Sequence, residues 1–258
     1  MAESNPYRTQ WDSYVQAWDR DKIENSSSSK LNWPGDEWAE EVEWSKIFQA
    51  MFLDFGAAGW TNCVEIGPGS GKYTDKLLRQ SAAQIVAFDI SPAYLEVLSK
   101  RLAVDLDAGR LHPVLLNGDD ASEMLNELKR RQLVRKIDAL YSIDAMVHVD
   151  FQYLMAYFLT AALCLSNGGR LIMTLPNAVS EFGFEILVEE TRKYYPLQGE
   201  PSAKFEWLCP EMVQKVLERL GFSVQFLSPF SSIEVDRDLY VVATLVDIER
   251  AQRFRESL

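Results

Sequence analysis

The chain has 258 residues, 47% of them hydrophobic, and 38 acidic against 26 basic side chains give a formal net charge of −12. That length holds one α/β domain with an appendage and would cramp two full domains. The acidic balance, without a lysine- or arginine-rich stripe, argues against a nucleic-acid surface, because such affinity comes largely from cationic contacts to phosphates. No apolar run is long enough for a bilayer span, and Met1–Pro6 lacks the basic and apolar regions of a signal peptide. Cys63, Cys164 and Cys209 are odd in number, far apart and beside apolar segments. They are expected to be buried thiols of a cytoplasmic protein, not a disulfide framework or a zinc site.

Residues 1–60 stand apart. Six of the seven tryptophans fall there, around a polar Asn25–Ser29 run that reads as a loop. Trp11, Tyr14 and Trp18 recur at helical spacing, and Asp36–Phe52 suggests a longer helix with Trp38, Val42, Ile47 and Met51 on one face. Two readings of this region stand together: a helical layer packed on the body, and an aromatic lid over a ligand.

From residue 61 to about 248 the pattern alternates. Strand-like runs are expected at 63–66, 85–88, 111–116, 137–142 and 170–175, separated by helical stretches at 73–82, 93–108, 121–133 and 151–165. Ser91-Pro92 reads as a helix start, and Gly168-Gly169 as the stop of the fourth helix. The cationic cluster from Lys129 to Arg131 reads as the end of the third helix, where cations meet the negative pole of the dipole. A helix over 210–220 follows an aromatic insertion at 176–208. Two strands, 223–228 and 240–247, then come with no helix between them. Alternation of this kind implies a mostly parallel sheet with helices on both faces, closed by an antiparallel strand. Residues 249–258 form a short tail.

The most specific segment is Glu65-Ile66-Gly67-Pro68-Gly69-Ser70-Gly71, which ends the first strand and opens a helix. Asp89 ends the second strand. Strand, glycine turn, helix, strand and acid make up a nucleoside-binding βαβ unit. The dinucleotide fingerprint needs glycine at position 72, where this chain has lysine.

Glycines at 67, 69 and 71 behind Glu65, with Asp89 after the second strand, instead resemble class I S-adenosylmethionine-dependent methyltransferases. The resemblance covers roughly residues 60–248 and implies a seven-stranded Rossmann-like sheet with an antiparallel last strand. It implies that Gly67, Pro68, Gly69 and Gly71 approach the methionine part of the cofactor. Glu65 either sets that turn or reaches the methionine ammonium through water. Asp89 would accept from the ribose hydroxyls beside Ile90, and Asp119, with Asp120 next to it, would accept from the adenine amine. An ordinary helix cap is the competing role for that pair. Ser142 opens the fourth-strand loop, Ser142–Asp150, whose backbone holds the cofactor in the family.

His148 in that loop titrates near neutrality and is the candidate general base, with Asp144 as a second catalytic candidate. A loop-propping role for His148 stays open. Asp144 and Asp150 would suit magnesium, but two acids do not make a ligand set, so no metal ligand is assigned. The loop lacks the Asn/Asp-Pro-Pro-aromatic motif of nucleic-acid amine methyltransferases. The 33–38 segment, Trp-Pro-Gly-Asp-Glu-Trp, and the Val147–Asp150 run are similar to methyltransferases of saccharide and natural-product pathways. The expected activity is methylation of a small-molecule hydroxyl, with a sugar among the candidate acceptors. Nitrogen or carboxylate methylation, and a catalytically silent binding protein, remain alternatives, and the oligomeric state is open.

Overall fold

A computed structural model describes residues 6–18, 32–36, 41–194, 204–227 and 237–255. Trp38, Tyr195 and the 25–29 run lie outside the described residues. Helix α1 (Pro6–Ala17) and helix α2 (Glu41–Met51) precede the sheet. Then follow β1 (Asn62–Ile66), α3 (Lys72–Gln80), β2 (Gln84–Asp89), α4 (Pro92–Arg101), α5 (Ala103–Asp107) and β3 (Leu111–Leu115). The second half comprises α6 (Glu123–Arg130), β4 (Ile137–Ser142), α7 (Phe151–Cys164), β5 (Leu165–Pro176) and α8 (Glu181–Tyr194). It ends with α9 (Pro210–Arg219), β6 (Phe222–Leu227), β7 (Asp238–Leu245) and α10 (Ile248–Gln252).

The seven strands run in the order β3-β2-β1-β4-β5-β7-β6, parallel except for β7, which is antiparallel to both of its neighbours. Successive strand residues point to opposite faces, and the core divides accordingly. Val64, Ile66, Val86, Phe88 and Leu140 bury one face against α6, α7 and α9. Cys63, Ile85, Ala87, Ala139 and Tyr141 bury the other against α2, α3 and α4. On that second face Phe52 stacks on Phe48 (4.9 Å between ring centroids) and meets Tyr141 edge-on (5.1 Å). The packed-layer reading therefore describes α2, whose residues are part of the core.

Four expectations change. The buried stripe of α2 is Trp44, Ile47, Phe48 and Met51, while Val42 is 54% exposed. The helix expected over 93–108 breaks at Leu102, whose φ of −113° and ψ of 34° leave the helical region while its side chain stays buried. Gly168-Gly169 do not stop a helix. Helix α7 ends at Cys164 because Leu165 is already extended, and both glycines lie within β5. A Cβ on Gly169 would stand 3.0 Å from the carbonyl oxygens of Ile137 and Ser166, so the strands approach closely there. Cys63 and Cys164 are buried free thiols, but Cys209 is only half-buried.

Candidate active site

In a parallel sheet the carboxyl ends of the strands share one edge, and ligands bind where strand order reverses. Here the reversal falls between β1 and β4, and a cleft of about 1380 Å³ opens over the ends of β1, β2, β3 and β4.

Its floor is the turn after β1. Gly67, Gly69 and Gly71 all have positive φ (65°, 53° and 89°), yet they serve different ends. A Cβ on Gly67 would lie 2.4 Å from the Cβ of Ala145, so this glycine lets the β4 loop close on the β1 loop. A Cβ on Gly71 would lie 2.4 Å from Leu98 Cδ1, so Gly71 seats α4 and does not line the cleft. Gly69 meets only the Tyr94 ring, at 3.7 Å, and lines the cleft with Pro68. Of the three, Gly69 is the one whose missing side chain leaves room for a ligand. The Gly67→Ala variant is expected to lose about 2–4 kcal/mol of stability, combining the left-handed backbone penalty with overpacking against Ala145. Denaturant unfolding without ligand checks this.

Glu65 is buried, and its Oε2 accepts from Thr74 Oγ1 (2.5 Å) and the Tyr141 hydroxyl (2.9 Å). Burial lifts its carboxyl to about 7 against the pull of those two donors. It thus ties β1 to α3 and β4 while lining the cleft. Asp89 is also buried at the cleft wall. Its Oδ1 accepts from the Ser91 amide at 2.8 Å, and burial lifts it to about 7 despite backbone donors including Gly69 and Ile90.

After β3, Glu123 accepts from the amides of Asn117 (2.9 Å) and Gly118 (3.2 Å), shaping the loop so that Asp119 lines the cleft. Asp120 departs from its expected place. Its Oδ1 accepts from Ser122 N and Oγ, both at 2.8 Å, in a local turn outside the cleft. Ser142 departs likewise. Fully buried, it donates to the Ile66 carbonyl at 2.8 Å and locks the ends of β4 and β1 together.

The β4 loop carries the chemistry-bearing side chains. Asp144, at φ 57°, accepts from Arg237 Nη2 at 2.6 Å and its amide donates to Thr174 Oγ1, so its carboxylate is engaged by a guanidinium. His148 is held on two sides, with Phe205 stacked at 4.9 Å and Trp11 at 5.5 Å. Its Nδ1 lies 3.0 Å from the Lys204 carbonyl oxygen, which can only accept, so Nδ1 carries the hydrogen. Nε2 is left with a lone pair. Burial keeps the ring below the usual imidazole range, outweighing the Lys204 carbonyl. Among the described residues no group of three or more His, Cys, Asp or Glu could hold a metal ion.

Helix α1 spans both ends of the cleft, and its polar residues escaped the sequence reading. Arg8 donates to the carbonyls of Ile90 (2.8 Å), Leu116 (2.7 Å) and Asn117 (3.2 Å). Asp12 accepts from Ser91 Oγ at 2.5 Å, and Tyr7 donates to Asp150 Oδ2 at 3.3 Å. Arg8 and Asp12 sit four apart, a spacing that suggests mutual pairing on a helix. Each instead reaches across to the sheet, which only the fold reveals.

Residues 64–173 match the family model described as "Methyltransferase domain". The whole chain is similar to magnesium protoporphyrin IX methyltransferase from Synechocystis PCC 6803 at 15% identity and a TM-score of 0.60, covering 93% of this chain and 99% of that one. Residues 64–173 thus match a methyltransferase domain, and the fold is the one shared by class I S-adenosylmethionine-dependent methyltransferases. Geranyl diphosphate C-methyltransferase from Streptomyces coelicolor A3(2) is similar over 96% of this methyltransferase and all of its own chain (14% identity, TM-score 0.58). The CurJ carbon methyltransferase is similar at 15% identity and a TM-score of 0.53, and there this chain spans 50% of the other's length. No curated protein sequence matches. No helix among the described residues is long and apolar enough to cross a membrane.

Proposed function

We propose that this methyltransferase transfers the methyl group of S-adenosylmethionine to a hydroxyl of a small, ring-bearing molecule, with His148 taking the hydroxyl proton. The observation that carries this reading is the fixed tautomer of His148. A ring nitrogen with a free lone pair, kept neutral by burial, faces chemistry that needs a base near neutrality.

The residues fit the donor. Gly69 leaves a side-chain-free approach at the β1 turn, and Asp89 is a buried acid with oxygens suited to a ribose diol. Ile90 and Asp119 line the wall where the adenine would rest. Tyr73, also on the wall, buries its hydroxyl without a hydrogen-bond partner, a polar atom left for a ligand. S-adenosylmethionine supplies a methyl carbon already activated by its sulfonium. The protein therefore has to align the two partners and receive a proton. His148 Nε2 takes the acceptor's proton as its oxygen bonds to the methyl carbon. The carbon–sulfur electron pair stays on sulfur, and the imidazolium later returns its proton to water. Trp11 and Tyr153 give this end of the cleft aromatic faces suited to a sugar ring or planar metabolite.

Thermal unfolding with S-adenosylmethionine, S-adenosylhomocysteine and NAD tests the donor. A ligand at about 100 times its dissociation constant adds about 2.7 kcal/mol. Stabilisation by both sulfur nucleosides and none by NAD is expected. The absence of any shift with either nucleoside would remove the donor assignment.

A further inference from the structure

His148 is backed by a cation that does not itself line the cleft. Arg237, immediately ahead of β7, stands 4.8 Å from the centroid of the Phe205 ring. Phe205 in turn stacks on the imidazole at 4.9 Å, with 28° between the planes, and Trp11 covers the imidazole at 5.5 Å. Trp11, His148, Phe205 and Arg237 come from four separate parts of the chain, so this stack exists only in the folded protein.

The guanidinium is also a clamp. Its Nη2 donates to Asp144 Oδ1 at 2.6 Å and to Asp238 Oδ2 at 2.7 Å, while its Nε donates to Asp238 Oδ1 at 2.7 Å. The two-point fork on Asp238 fixes the plane of the guanidinium, and Asp144 lies four residues ahead of His148 in the same loop. The Arg237 carbonyl accepts from the Asn177 amide at 3.0 Å, which ties the clamp to the end of β5. One side chain therefore holds His148 twice, through its loop and through the ring behind it.

Charges meet the imidazole from every neighbouring element. Asp144 and Asp150 belong to its own loop, and Tyr7 of α1 donates to Asp150. Lys204 and Glu206 pair with each other at 2.8 Å, and Glu190 of α8 accepts from Phe205 N and Trp207 Nε1. Asp144 and Glu190 draw a proton toward the imidazole, whereas Arg237 repels it. Arg237 thus offsets the pull of the very carboxylate it clamps, and Asp238 balances the guanidinium in turn.

We propose that Arg237 is a positioning residue for His148, fixing through Asp144 and Phe205 both the orientation of the imidazole and the charge it faces. The assignment rests on His148 being the base of the proposed reaction. A lysine at 237 would keep the charge but lose the fork and the flat face that lies on Phe205.

The chain has only two histidines, His112 on the edge strand β3 and His148, so imidazole NMR on the full chain reads tautomer and protonation of each without an acceptor. Wild-type His148 should show hydrogen on Nδ1 and titrate below the ordinary histidine range. Arg237→Gln should raise its proton affinity by about tenfold, the low end for one nearby charge, and mix the two tautomers. Arg237→Lys should recover the proton affinity but not the single tautomer. Asp144→Asn, which can still accept from Arg237, should lower the proton affinity instead. An unchanged His112 titration verifies that each variant is folded. His148 unmoved in Arg237→Gln, or in Asp144→Asn should the first variant not fold, overturns the proposal. Wild-type His148 with its hydrogen on Nε2 overturns the base reading itself, and this assignment with it.

Discussion

Replacing His148 with asparagine should lower kcat by about 10²–10⁴-fold, the range of a positioned general base, while S-adenosylhomocysteine binds as before. Asparagine is the informative choice because its amide nitrogen stands near the place of Nδ1 and can still donate to the Lys204 carbonyl. That hydrogen bond organises the segment. Glu206 N donates to the Val147 carbonyl at 2.9 Å, and Glu190 receives both Phe205 N (3.2 Å) and Trp207 Nε1 (2.6 Å). The variant keeps this frame and removes only the lone pair. Because burial depresses the imidazole, the acidic limb of the wild-type kcat profile should fall below the ordinary histidine range. The variant should lose that limb. Comparable losses in turnover and donor affinity would make His148 a prop for its loop. Undiminished turnover with a nitrogen or carbon acceptor would make a base unnecessary and move the acceptor out of the hydroxyl class.

The sheet was legible because its residues obey two simple periods. Ile85 and Ala87 face one layer while Val86 and Phe88 face the other, all buried, so the run is apolar throughout and bounded by turns. The short spacing between β6 and β7 leaves too few residues for a parallel crossover and predicts the antiparallel pair directly. What escaped was set by neighbours distant in sequence. Gly71 carries the same motif as Gly69, but only the fold brings Leu98 against it. Val42 falls within the helical spacing read for α2, yet the aromatic cluster around Phe52 and Tyr141 selects the stripe at Trp44, Ile47, Phe48 and Met51.

The site divides the same way. Glu65, Gly67, Pro68, Gly69, Asp89, Ile90, Asp119, Asp144 and His148 all line one cleft, because strand ends in a parallel sheet converge whatever the loop sequences. Asp120 and Ser142 sit in the expected loops and turn elsewhere, Asp120 to Ser122 and Ser142 to Ile66. Short polar side chains bond nearby backbone readily, a competition that spacing alone does not resolve. Arg237 could not be paired with Asp144 from sequence, since 93 residues separate them. Burial opposes its charge, but Asp238 and Asp144 hold it firmly protonated. That pairing commits the Asp144 carboxylate to holding its loop, so the proposed mechanism gives the proton to His148 instead.

Replacing Asp89 with asparagine should weaken S-adenosylhomocysteine binding by about 1.5–3 kcal/mol, roughly 10- to 150-fold, because two ribose hydroxyls would lose a charged acceptor. The wild-type pH dependence should carry the same signature. Burial raises the Asp89 carboxyl to about 7, so the ligand-free protein holds a proton there that the unfolded chain has shed from about pH 4 upward. The folded state then binds more protons than the unfolded one, and stability without ligand falls as pH rises from about 4 to about 7. Donor binding runs the other way. Ribose hydroxyls need the ionised carboxylate, so affinity should rise with pH by up to about tenfold per unit until about 7 and then level off. Glu65 shifts in the same direction, but its Oε2 is already bonded to Thr74 and Tyr141, so it adds to the stability slope more than to the affinity slope. Asp89→Asn should therefore flatten the affinity profile while leaving part of the stability slope in place. An affinity profile as steep in the variant as in the wild type would place the titrating group elsewhere and take the ribose role from Asp89.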